Sequence, residues 1–111
     1  MDIAQEDLDS GVHKVTLNGS FDIAGAGDVD APFSDIGGTK DKVLVDFSGV
    51  DFLASIGIRT IVKAAKAMGT RGGKMAIVNP NDAARRVLSS TGVDSIVTVV
   101  DDEAAAVAAL T

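Results

Sequence analysis

Short apolar runs in this chain alternate with longer stretches in which apolar residues recur every three or four positions. Ile3–Leu8 reads as a strand, and His13–Leu17 shows the two-residue alternation of a half-buried one. Asp9–Gly11 lies between them as a turn, so the pair predicts a hairpin, and Asn18–Gly19 leaves its second strand. Lys42–Asp46 carries an unbroken apolar run at Val43–Leu44–Val45, the mark of a strand covered on both faces. Ser48, Gly49 and Asp51 end it, and Phe52 and Leu53 return apolar side chains to the core. Ser55 then stands as a helix N-cap ahead of Ile58, Ile61, Val62 and Ala65 at helical spacing. That helix runs to about Met68, with Gly69 at its C′ position.

Lys74–Val78 is a further strand. Pro80–Asn81–Asp82 opens a helix reaching about Ser90, with Ala84, Val87 and Leu88 inward and Gly92 beyond it. Ser95–Val100 is a short last strand, and Asp101–Asp102 opens an alanine-rich helix with acids at its favourable end. Phe21–Gly38 is the least regular stretch. Pro32 sits among Gly25, Gly27, Gly37 and Gly38, which argues against one long helix and for a short one starting near Asp30–Pro32, with Phe33 and Ile36 inward. The order is β-β-α-β-α-β-α-β-α. It predicts an α/β fold: a mixed sheet of four to five strands, with helices packed against it and Val43–Asp46 central.

At 111 residues the chain is expected to form one domain over 1–111. It has no cysteine, which fits a reducing cytoplasm, and no apolar stretch near the ~20 residues that span a bilayer. The first residues, MDIAQEDLD, are acidic, the reverse of a secretory signal. A cytoplasmic protein without membrane insertion is therefore expected. The net charge of −6, with no Trp or Tyr, argues against nucleic acid as a partner. The charge is uneven: residues 52–100 hold only Asp82 and Asp94 against seven basic residues, so the middle of an acidic chain is locally positive.

The candidate chemistry is sparse. His13 reads as a surface residue of the hairpin, and Arg71–Gly72–Gly73–Lys74 as a turn, since it follows a helix and precedes a strand. Asp22, Asp46 and Asp51 stand at irregular spacing and predict no metal cluster; no nucleophile–base pair is evident, and no enzyme, metal or cofactor is expected. Arg59, Lys63 and Lys66 share one helix face at spacings of four and three. Such a stripe is either a solvated face or a docking surface for an acidic partner. Ser55, ahead of a helix, is either a plain cap or a hydroxyl placed where free N–H groups favour a phosphate.

The run VLVDFSGVDFLASIGIR, Val43 to Arg59, resembles the signature of the STAS domain, in particular the stand-alone anti-sigma factor antagonists of bacteria. In that family an aliphatic strand ends in Asp, and an apolar pair precedes a short Asp-Ser-(Ser/Thr)-Gly-Leu-like segment that opens a helix. Asp46, the pair Phe52–Leu53 and the segment Ala54–Ile58 take these places. Gly19, Phe21, Asp22 and Ile23 upstream, and GGKMAIVNP with Val87, Leu88 and Gly92 downstream, extend the resemblance over nearly the whole chain. Ala54 replaces the usual Asp, and Ile56 the usual Ser or Thr.

The resemblance implies a binding module whose partner is an anti-sigma factor that is itself a serine kinase. It implies that Ser55 is the phosphoacceptor, that its phosphorylation switches binding off and that a serine phosphatase restores it. It also implies a partner surface formed by Asp22, Phe52, Leu53, Ser55, Ile56, Gly57, Arg59, Lys63 and Lys66. The alternative on the same fold is an accessory subunit of a lipid or anion transporter.

Overall fold

The computed structural model describes residues 1–111. Its elements are β1 (Asp2–Asp7), β2 (His13–Phe21), α1 (Ile23–Thr39), β3 (Lys42–Leu53), α2 (Ser55–Gly69), β4 (Lys74–Val78), α3 (Asp82–Ser90), β5 (Thr98–Val100) and α4 (Glu103–Leu110), with one 3-10 turn at Val93–Ser95. The five strands lie in chain order, β1-β2-β3-β4-β5. The hairpin β1–β2 is antiparallel and the other pairs are parallel. This is the α/β order and mixed sheet that the apolar pattern predicts, with β3 in the centre.

Val43, Leu44 and Val45 are fully buried because the sheet is covered on both sides there. Val43 and Val45 join the main core with α1, α2 and α3, whereas Leu44 faces a smaller cluster with Ala106 and Leu110 of α4. Phe21, Phe33 and Phe47 meet in the main core at centroid separations of 6.4 and 6.3 Å.

Four readings are corrected. First, β3 continues seven residues past Asp46. Across the β2–β3 pair, β3 carries one extra residue between Asp46 and Gly49 and another between Val50 and Phe52. These bulges re-phase the strand, so the positions facing the main core are 43, 45, 47, 50 and 53, while Leu44 is buried on the other face. The two-residue alternation fails there while the strand persists. Second, Phe52 does not enter the core; it is 55% exposed, on the outward phase of the strand.

Third, α1 is a single helix of 17 residues that passes through Pro32. Asp22 caps it, accepting from the Gly25 N–H at 2.9 Å. Pro32 removes the bond to the carbonyl of Asp28, an exposed residue, so water can satisfy that oxygen. The penalty of a helical proline, about 3 kcal/mol, is outweighed by the stripe Ala26, Val29, Phe33 and Ile36, all buried at helical spacing. Fourth, His13 is buried. Its Nδ1–H donates to Asp7 at 2.7 Å and its Nε2 meets the Gln5 amide at 2.7 Å, which fastens β1 to β2.

Candidate functional site

The parallel strands β2 and β3 end together. Phe21 is in register with Leu53, and the N–H of Ala54 donates to the Phe21 carbonyl at 3.0 Å. A helix leaves each strand at this point, so the N-termini of α1 and α2 start side by side. Asp22 caps the first. Ala54 takes the cap position of the second and offers no side-chain acceptor.

Ser55 is therefore the first residue of α2 rather than its cap, one position later than its sequence context suggests. It is exposed, and its hydroxyl has no hydrogen-bond partner in the chain. The N–H groups of Gly57 and Ile58 turn back to the Ala54 carbonyl at 3.0 and 3.2 Å. Those of Ser55 and Ile56 are left open, as the first N–H groups of a helix are.

Around Ser55 the surface is apolar. Phe52 stands three residues before it on β3, and Ile56 follows it, half-buried against the core. Ile23, the first residue of α1, is 81% exposed and lines a shallow groove with Ile56 and Thr60. Sequence reasoning missed Ile23 as a surface feature. It lies outside the buried stripe of α1, and no pattern signalled that a helix begins there.

Arg59, Lys63 and Lys66 are exposed, and none has a carboxylate within ion-pair distance. Lys63 leans toward α1 and lines a cleft with Asp30 and Ser34. Lys66 leans the other way, toward the start of β4. Of the expected contact residues, Leu53 and Gly57 are buried in the domain. Leu53 anchors the strand end from below. Gly57 gives the first turn of α2 its closeness to Phe21, since a Cβ there would stand 2.7 Å from that ring.

The acidic residues do not converge. Asp22 holds the α1 terminus, Asp46 accepts from the Ser48 N–H and hydroxyl at 2.9 and 2.6 Å, and Asp51 accepts from Ser20 at 2.8 Å.

The sequence profile of the STAS domain family matches residues 6–106. The chain belongs to the STAS domain family. Among individual STAS relatives, a Thermotoga neapolitana protein provisionally named an anti-sigma factor antagonist is 38% identical over 61 residues, 55% of this chain and 54% of that one. The match thus spans about half the length of the curated relatives. A Thermotoga maritima protein with the same provisional name, known from a crystal structure, superposes with a TM-score of 0.88 at 26% identity, covering 97% of this chain and 93% of that one. The crystal structure of an anti-sigma factor antagonist from Mycobacterium paratuberculosis gives 0.87 at 24% identity, over 98% and 92% of the two chains, a likeness of fold. The STAS fold accounts for the paired strand ends and helix starts that present Ser55.

Proposed function

We propose that this STAS domain is an anti-sigma factor antagonist whose partner is an anti-sigma factor with serine kinase activity. Binding that partner releases a sigma factor to transcription. Phosphorylation of Ser55 ends the binding, and a serine phosphatase restores it. Its place of action is the cytoplasm, and Asp22, Phe52, Ser55, Ile56, Arg59, Lys63 and Lys66 form the partner surface, with Ile23 added to it.

The observation that carries this reading is the setting of Ser55. A hydroxyl without an internal partner stands at the head of α2, among exposed apolar side chains that suit a protein interface. A phosphate there adds about −1.5 to −2 charges. The open N–H groups of Ser55 and Ile56 favour that charge, so the folded domain tolerates it. An apolar interface does not, because charge and bulk would be buried without a partner group. The similarity to proteins carrying the antagonist name supports the same reading.

Affinity capture from the cells of origin, with wild type against Ser55→Asp, tests it. An anti-sigma kinase should be retained by the wild type and partly lost by the variant, since aspartate carries about half the charge of a phosphate. Retention of a transporter instead would favour the accessory role. Capture of the same kinase in full by Ser55→Asp and by phosphorylated protein would reject the switch.

A further inference from the structure

The helices α1 and α2 lie side by side on the main-core face of the sheet, and the seam between them is unevenly filled. Toward the C-terminal end of α1 it is tight: a Cβ at Gly37 would stand 3.2 Å from the Ala67 Cβ and 3.3 Å from the Ala64 Cα. One turn earlier, at Phe33 and Thr60, the seam parts into a cavity of about 50 Å3. Its floor is buried: Phe33, Gly37, Thr60 and Ala64. Its rim is exposed, with Asp30 and Ser34 on the α1 wall and Lys63 and Ala67 on the α2 wall. No ion pair bridges the mouth, since Asp30 and Lys63 do not come within ion-pair distance of each other.

The chemistry of the floor decides what fits. The Thr60 hydroxyl donates back into α2, to the Ile56 carbonyl at 3.2 Å, and the Gly37 carbonyl accepts from Arg71 at 2.8 Å. Phe33 and Ala64 bring only apolar side chains. A polar guest would leave its hydrogen bonds behind in water, whereas an apolar one loses nothing. Size narrows the choice further. Sites for cofactors and drug-sized ligands take about 300–1,000 Å3. This cavity holds the volume of a few water molecules, which is that of one apolar side chain.

The cavity also continues the apolar surface at Ser55. The groove that starts at Ile23 and Ile56 shares Asp30 and Thr60 with it, so one track runs along the seam from the exposed Ile23 to the hole. Protein interfaces draw most of their affinity from such places, where a large side chain of one partner fills a pocket of the other. We infer that the α1–α2 cavity receives a single apolar side chain of the partner, of leucine or phenylalanine size, and so anchors the docking that Ser55 controls, an inference that rests on the partner surface proposed above.

Xenon under pressure probes the cavity in the free domain. The amide resonances of Gly37, Thr60 and Ala64 should shift and saturate. Ser34→Leu and Ala67→Leu reach over the hole from opposite walls, and each should weaken that response several-fold. Both sites are exposed, so thermal midpoints should stay near or above that of the wild type. Toward the anti-sigma kinase that the wild type captures, each variant should lose affinity by about tenfold or more. Ala83→Leu, at an exposed site on α3, should leave it unchanged. Silence of all three amides under xenon would overturn the inference. Undiminished kinase binding by both variants would overturn it alone and leave the Ser55 reading standing. A dimer of this chain that either variant dissolves would make a second copy the occupant and overturn it too. Capture of no anti-sigma kinase by the wild type would overturn the Ser55 reading and the anchor together.

Discussion

Gly57 rests against Phe21: a Cβ at position 57 would stand 2.7 Å from Phe21 Cδ1 and 2.9 Å from the Phe21 carbonyl oxygen. The ring cannot turn away, because it is fully buried between Phe33 and Phe47. The carbonyl cannot move either, since it accepts the Ala54 N–H that joins the two strand ends. One contact therefore sets how closely the first turn of α2 approaches β2, and with it the position of Ser55.

Gly57→Ala should accordingly destabilise the domain. Overpacking costs about 1–3 kcal/mol, and alanine returns at most ~1 kcal/mol of helix propensity. Urea unfolding should show the midpoint falling with the slope unchanged. A midpoint that rises would mean that the backbone relaxes freely at this joint.

The hairpin carries an acid-sensitive fastening. The hydrogen bond from His13 and then the charge of Lys40 hold the Asp7 carboxyl below its ordinary value of 3.8. Because the value is lower in the folded chain than in the unfolded one, the contribution is complete above 3.8 and is lost as pH falls through the lowered value. Asp7→Asn should be less stable than wild type near neutrality, and the two should converge in acid. A stability difference that stays constant through the acid range would contradict this.

The basic face of α2 should act on encounter more than on folding. Arg59→Glu with Lys63→Glu should slow association with the anti-sigma partner by about tenfold at low salt and reduce its salt dependence. Stability should change by no more than about 0.5 kcal/mol for each exposed site. Stopped-flow mixing at several salt concentrations measures the first effect and thermal unfolding the second. An unchanged association rate would place the partner elsewhere.

Most of the element order was readable because the decisive signals are local. The buried run Val43–Val45, the helical spacing from Ile58 to Ala65 and the acids at the start of α4 each depend on neighbours in sequence. What escaped depends on contacts distant in sequence. Two bulges against β2 carry β3 past Ser48 and Gly49, and a purely local reading ends the strand there. Packing of Phe33 and Ile36 carries α1 through Pro32 against its propensity. His13 is buried because Asp7 and Gln5 reach it across the hairpin. At the candidate site, the exposed hydroxyl of Ser55 and the α2 stripe were legible from spacing. The contribution of Ile23 was not, since it requires two helices to start side by side.

The proposed switch at Ser55 is tested by mass spectrometry of the protein after incubation with its cognate anti-sigma kinase and ATP. A single phosphate is expected, on Ser55 and absent from Ser55→Ala, with folding nearly unchanged and partner binding reduced. Phosphate on another residue, or no phosphate while the kinase still binds, would contradict it.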